Sequence, residues 1–349
     1  MKPALLAVCL LSALAFPAGA APPLLGLAAN PREGATGAAF LEGVLDARRL
    51  GVSMMFSTHR WSDLEPKPGE YDLKPLREAI SGLGSLGFRV ALTLQTIDTN
   101  NRTLPADLAS RPFDDPELIA RFDRLLERVA KTLTDRVGWV MLANEADIYL
   151  GMHPEELPRF AAFAEHGRAT LRRLRPGLPV GVTCTHDGVR DRPALVGRLN
   201  RDMDVVTLTY YPLDERMGVR PVAEAPADFE RMVRAAGTRP LLLQEIGYPA
   251  SPLLGSSEER QAAFIDAVFD AVDRHRGRIA CFSFFLLHDF GDRLTDTLVG
   301  YYGIPDPRFR AFLATLGLRK ADGTPRKAWA RFQARAKAWG AESPAVPAR

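Results

Sequence analysis

Two glutamates stand where apolar runs end: Glu145 in Trp139-Val-Met-Leu-Ala-Asn-Glu145, and Glu245 in Leu241-Leu-Leu-Gln-Glu245-Ile-Gly-Tyr248. Runs of this kind read as buried parallel strands, and the C-terminal end of such a strand is where an α/β barrel keeps its chemistry. Two carboxylates delivered to one hollow from two strand ends suit the hydrolysis of a glycosidic bond. One gives a proton to the leaving oxygen and the other attacks the anomeric carbon; with retention the carboxyl groups lie roughly 5–5.5 Å apart. On this reading Glu145 is the general acid/base and Glu245 the nucleophile. The acid must hold its proton near neutral pH, and an ionised neighbour raises its pKa. Once the nucleophile is glycosylated that charge is gone, and Glu145 can act as base.

Other side chains at strand ends could serve the same reaction. Asn144 immediately precedes the acid, and its amide can bond a sugar 2-hydroxyl, a contact that strengthens in the transition state. Thr209-Tyr210-Tyr211-Pro212 offers a phenol that could hydrogen-bond Glu245; the sequence leaves open which tyrosine it is. Trp61, Tyr149, Tyr248 and Phe290 fall in strand-to-helix segments, where an aromatic face can carry a pyranose ring. His186, after the fifth strand, is placed to bind a hydroxyl.

The elements that must position these residues alternate along the chain. Strand-like runs are expected at Leu24 to Ala28, Val52 to Ser57, Phe88 to Gln95, Trp139 to Asn144, Pro179 to Cys184, Val205 to Tyr211, Leu241 to Ile246 and Ile279 to Leu287. Helical patterns follow them at Ala38 to Leu50, Leu73 to Leu83, Pro116 to Leu133, Pro154 to Leu174, Pro193 to Leu199, Pro226 to Ala236, Glu258 to Arg274 and Arg326 to Ala338. Largely apolar strands alternating with helices predict a parallel sheet covered on its outer face. Eight units predict an α/β fold closed as a single (β/α)8 barrel over residues 21–340. Gly82-Leu-Gly84-Ser-Leu-Gly87 matches GxGxxG but follows a helix and precedes a strand, the reverse of a dinucleotide site. It reads as a helix C-cap and turn.

The whole chain narrows the alternatives. A formal net charge of +3 over 349 residues, without a basic stripe, argues against a nucleic-acid partner. None of the six histidines falls in a metal-ligand spacing such as HExxH, and there is neither a G-x-S-x-G elbow nor a P-loop, so no metal or cofactor is expected. Lys2, the apolar stretch Ala4 to Phe16 and Ala18-Gly19-Ala20 read as a cleavable leader over residues 1–20. That stretch is too short to span a bilayer, so an exported protein, working as a monomer without an integral membrane segment, is expected. Cys184 and Cys281 lie on strands that should not be neighbours and are expected to be buried thiols. The Ala/Pro-rich segment 341–349 reads as a frayed tail.

With these motifs in place the sequence resembles the clan A retaining glycoside hydrolases. The matching pieces are Trp61-Ser-Asp-Leu-Glu-Pro-Lys-Pro-Gly-Glu-Tyr71-Asp, Ala143-Asn-Glu145, Tyr210-Tyr-Pro212, Gln244-Glu-Ile-Gly-Tyr-Pro249 and Asp322-Gly-Thr-Pro-Arg-Lys-Ala-Trp329. The Tyr-Tyr-Pro and Glu-Ile-Gly-Tyr-Pro pieces are similar to those of endo-β-1,4-galactanases, β-1,3-glucanases and a β-mannanase family; the Trp61 stretch resembles β-galactosidases. The resemblance implies an Asn-Glu pair at Asn144 and Glu145, a nucleophile at Glu245, a carbohydrate substrate and no cofactor. Two features depart from it. The arginine that the clan places inside the second strand is absent, leaving Arg60 as the nearest candidate, and the eighth strand ends without tryptophan, leaving Phe285 or His288 in its place. Two rivals use the same scaffold: a carbohydrate-binding barrel without turnover, and a transglycosylase using the same glutamates.

Overall fold

The computed structural model describes residues 22–35 and 37–342. The expected leader lies outside them, as does the tail from residue 343. Among the described residues eight barrel strands alternate with helices: β1 (Leu24–Leu27), β2 (Met54–Arg60), β3 (Arg89–Gln95), β4 (Val137–Met141), β5 (Val180–Gly181 and Thr183–Thr185, interrupted at Val182), β6 (Val206–Tyr210), β7 (Leu241–Ile246) and β8 (Ile279–Phe284). All pair in parallel, each with its sequence neighbour, and β8 returns to β1 through Leu24↔Cys281 to Leu27↔Phe284. The two pieces of β5 complete the circle: Val180–Gly181 pairs with β4 and Thr183–Thr185 with β6. The expected (β/α)8 barrel is therefore closed.

The strands are apolar on both faces because both are covered. Outward residues such as Leu92, Leu94, Leu208, Tyr210, Leu243 and Phe284 join the helices in the main core. Inward residues Met54, Ala91, Met141, Val205, Leu242 and Cys281 plug the barrel floor. Above that plug the interior turns polar. The Gln244 Oε1 accepts from Thr183 Oγ1 at 2.9 Å and from Thr93 Oγ1 at 3.3 Å, so one buried amide joins β7 to β5 and β3. Cys184 and Cys281 are buried free thiols.

Helix ends follow local chemistry. Asp115 caps the helix Pro116–Thr132 by accepting from the Glu117 and Leu118 amides, with proline at its first position. The Gly82-to-Gly87 stretch ends the helix Lys74–Ser85, and Gly87 takes the left-handed conformation (φ +84°) that a helix exit favours. The sequence pattern gave no signal for three short helices that matter to the mouth: Ala146–Met152 after β4, His186–Asp191 after β5, and Pro307–Leu313 after β8. A longer one, Asp292–Tyr302, lies between the last expected strand and the closing helix, where no helix is expected. Among the described residues no helix is long and apolar enough to cross a membrane.

Candidate active site

Beyond β3 the chain makes a two-residue-per-strand hairpin, Ile97–Asp98 against Asn101–Arg102, that leans on the end of β4. Asn144 N donates to Ile97 O at 2.9 Å, and Thr99 N donates to Asn144 O at 3.0 Å. This contact sets two non-glycine residues in the left-handed region, Thr99 (φ 54°) and Glu145 (φ 46°). Such backbone costs on the order of 1–3 kcal/mol per residue and persists where surrounding bonds over-determine it. Its product is a fixed carboxylate: Thr99 Oγ1 donates to Glu145 Oε2 at 2.9 Å, and Thr209 Oγ1 from the end of β6 donates to Oε1 at 2.6 Å.

Glu245 reaches the same hollow from β7. The register of β7 on β6 shifts between Leu243 and Glu245. A bulge of that kind breaks the alternation of faces, so Gln244 bonds across the interior while the next side chain, Glu245, also lines the cavity. Tyr211 OH donates to Glu245 Oε2 at 2.7 Å, and Gln244 Nε2 approaches Oε1 at 3.4 Å. The same Gln244 Nε2 donates to Asn144 Oδ1 at 2.7 Å, and Asn144 Nδ2 donates to Asp98 Oδ1 at 3.2 Å. Asn144 is thereby oriented beside both carboxylates.

The two buried glutamates differ in what surrounds their carboxyl groups. Burial, then the charge of Glu245, pushes the Glu145 pKa up to about 8, against the opposing pull of its two threonine donors. Burial also raises Glu245, while the Tyr211 and Gln244 donors act to keep it ionised. Both are raised, and the hydrogen-bond donors on Glu245 favour its ionised form. The two line one cavity of about 460 Å³ with Arg60, Asp98, Thr99, Asn144, His186 and Tyr211.

The structure sorts the remaining candidates. Tyr211, not Tyr210, bonds the nucleophile candidate. Tyr210 follows Val206 and Leu208 on the outward face of β6, where its hydroxyl donates to Asp228 at 3.0 Å. Trp61 is turned away from the mouth: its Nε1 donates to Glu65 at 2.8 Å and its ring packs on Phe122 at 5.1 Å. Tyr248 stacks on Phe264 and donates to Arg220 O, and Tyr149 donates to Glu156. His288 bonds Asn30 O through Nδ1, tying the exit of β8 to that of β1. These four do not reach the cavity, because each hydroxyl or ring nitrogen is committed to the surrounding framework. Of the aromatic platforms expected, Phe290 alone lines it, with Phe285 beside it. Arg60 lines the cavity but faces Asp98 at 3.9 Å and stacks on the Tyr301 ring at 4.3 Å. His186 is buried between Asp187 and Asp228, at 3.5 and 3.3 Å. Burial acts to lower its pKa, but the two carboxylates outweigh it and the net direction is upward.

Sequence reasoning missed Asp98, Thr99, Thr209, Gln244, Tyr301 and Tyr302. Gln244 stood one residue from Glu245, inside the quoted motif, and was given no role. Tyr301 OH donates to Asp98 Oδ2 at 2.8 Å, a contact across 203 positions that no local pattern carries.

The displaced Trp61 leads to a stability prediction. Glu65 is fully buried and accepts from Trp61 Nε1, Arg121 Nε at 3.0 Å and Gly69 N at 2.9 Å. Glu65→Ala is expected to cost about 3 kcal/mol, the low end for breaking a buried pair, because Asp107 still holds Arg121. Urea unfolding measures it; a loss under about 1 kcal/mol contradicts the assignment.

Neither a family model nor a curated protein sequence matches this chain. Among solved structures it is similar to a GH5_18 alanine variant from Streptomyces cattleya in complex with Manβ1-4GlcNAc, with a TM-score of 0.72 and 20% identity over 94% of this chain and 83% of that one. It is similar to an exo-β-1,4-mannosidase from Opitutaceae bacterium strain TAV5 at TM-score 0.74 and 20% identity, over 95% of this chain and 62% of that one. A β-glucosidase superposes with TM-score 0.62 at 18% identity, over 84% of this chain and 86% of that one. At these identities the likeness is one of fold.

Proposed function

We propose that this chain is a retaining β-glycoside hydrolase that removes a single terminal sugar, with Glu145 as acid/base and Glu245 as nucleophile. One observation carries the reading: two carboxylates from opposite sides of the barrel share a cavity, one favoured in its protonated form and one held by a phenol. In the first step the Glu245 carboxylate attacks the anomeric carbon as Glu145 gives its proton to the departing oxygen, leaving a glycosyl ester and a free alcohol. In the second, Glu145, now ionised, takes a proton from water. That water attacks the same carbon, releasing the sugar with its β configuration and regenerating the Glu245 carboxylate. Asn144, oriented by Gln244 and Asp98, is placed to bond the 2-hydroxyl.

Removal of one terminal sugar is supported by the strap after β8. Asn100 Nδ2 donates to Tyr302 O at 2.7 Å, Asn101 Nδ2 to Tyr301 O at 3.1 Å, and Tyr301 OH to Asp98. The helix Asp292–Tyr302 is thus fastened to the β3 hairpin. It runs from the exit of β8 to the turn beyond β3 and lines the cavity through Leu298 and Tyr302. The neighbours that bind Manβ1-4GlcNAc or act as an exo-β-1,4-mannosidase support β-mannosides as the first substrates to try.

The test is a panel of aryl β-mannosides, β-glucosides and β-galactosides with the wild type and Glu245→Ala, followed by product analysis on β-linked oligosaccharides. Turnover that is lost in the variant and yields monosaccharide alone supports the reading. Equal background rates in both proteins support a binding barrel, and sugar-to-sugar transfer with excess acceptor supports a transglycosylase.

A further inference from the structure

The cavity has two unlike halves. Most groups able to bond sugar hydroxyls, among them Arg60, Gln95, Asp98, Asn144, His186 and Asp187, come from β2 to β5 and the turns that follow them. The opposite wall is apolar: Leu213 after β6, Phe290 after β8, and Leu298, Ile304, Phe309 and Phe312 from the strap and the helix behind it. All of these but Ile304 belong to one cluster that includes Tyr211, whose ring meets Phe312 edge-on at 5.2 Å. The wall therefore begins at the side chain that holds Glu245.

Phe290 can carry the face of a sugar ring, but sugar hydroxyls find no partner along this wall. A pyranose loses water from every hydroxyl it buries, and each must be matched by a donor or acceptor. Leu298, Phe290 and Phe309 offer none, yet they stand half-buried, and Ile304 is 39% exposed at the rim. A contiguous apolar face kept open to water and rimmed by polar groups marks a ligand surface. The hydroxyl-bearing ring takes the polar groups beside the two glutamates. What extends toward the apolar wall is the group to which the ring is attached.

We infer that the natural substrate is a β-glycoside of an apolar alcohol, and that the wall of Leu213, Phe290, Leu298, Ile304, Phe309 and Phe312 binds this aglycone. The inference rests on the proposed hydrolase reading for its catalytic arm but not for its binding arm. A long alkyl chain and an aromatic ring share the required chemistry.

The experiment compares methyl, butyl, octyl and 2-naphthyl β-glycosides, and a β-linked disaccharide, all carrying the sugar preferred in the panel above (mannose where the panel shows no turnover). The proteins are the wild type, Ile304→Asn and Leu298→Gln, each checked for an unchanged melting temperature. Rates are read as kcat/KM, and binding by calorimetry on Glu245→Ala with and without the wall substitutions. Each buried methylene is expected to improve kcat/KM by up to about fourfold. Octyl or naphthyl glycoside should exceed the disaccharide by about tenfold or more, and the wall variants should flatten the series while leaving the methyl glycoside unchanged. A steeper alkyl than naphthyl response identifies a lipid-like aglycone, and the reverse an aromatic one. Turnover that favours the disaccharide and ignores chain length overturns the inference while leaving the hydrolase reading intact. Absent turnover with chain-length-dependent binding that the wall variants abolish overturns the hydrolase reading and keeps the apolar site. Binding equally weak for methyl and octyl glycosides overturns the inference whatever the rates.

Discussion

Glu245→Ala is expected to lower kcat on any good substrate by roughly 10⁴–10⁶-fold, because the step that forms the covalent intermediate loses its nucleophile. Added azide should restore part of that rate, and the product should be the α-glycosyl azide. The small anion occupies the space of the missing carboxylate and displaces the leaving group from that face with a single inversion. Glu145→Ala should behave differently. Its loss should cost about 10²–10⁴-fold for alcohols that need protonation, and less for a nitrophenolate that departs unaided. Glycosylation then outruns hydrolysis, since no base activates water. Azide, which needs no base, attacks the glycosyl ester on Glu245 and gives the β-glycosyl azide. Anomeric coupling constants of the two products read the roles directly. The same configuration from both variants, or the two configurations exchanged, contradicts the assignment of Glu145 and Glu245.

The barrel was legible in the sequence because its cause is local. Runs such as Leu241 to Ile246 are apolar throughout, since both faces of a covered parallel strand are buried. The strand ends followed from the same pattern, and so did the two glutamates. Side-chain direction was not legible wherever alternation breaks. Strict alternation cannot have both Gln244 and Glu245 face the interior, yet the shifted register of β7 on β6 allows it. Tyr210 and Tyr211 were indistinguishable as letters, and only the strand's outward face, set by Val206 and Leu208, assigns Tyr210 to Asp228. Trp61 failed as a platform for a different reason. Its indole N–H finds a buried acceptor in Glu65, itself paired with Arg121 from a helix further along the chain. Least legible was the strap, whose role depends on Asn100, Asn101 and Asp98 meeting Tyr301 and Tyr302 across the mouth. Long-range contacts of that kind leave no periodicity to read.

The raised pKa of Glu145 should appear in both activity and stability, with opposite consequences for the protein. Hydrolysis needs Glu145 protonated and Glu245 ionised, so kcat/KM should follow a bell whose alkaline limb lies near pH 8. Tyr211→Phe removes a donor that favours the ionised Glu245, so the acid limb should move upward. The loss of that single bond should lower kcat by about 10²-fold. For stability the sign follows from proton binding. Folding raises the Glu145 pKa from its ordinary 4.5 to about 8, so between those values the folded state holds a proton that the unfolded chain releases. The contribution of Glu145 therefore declines as pH rises across that window, by up to about 1.4 kcal/mol per pH unit. Glu145→Gln keeps the shape and removes the titration. Urea unfolding at pH 5, 6.5 and 8 should show the variant gaining on the wild type as pH rises, with the largest gap at pH 8. A gap that does not change with pH would mean that Glu145 is ionised in the resting protein, leaving it no proton to give.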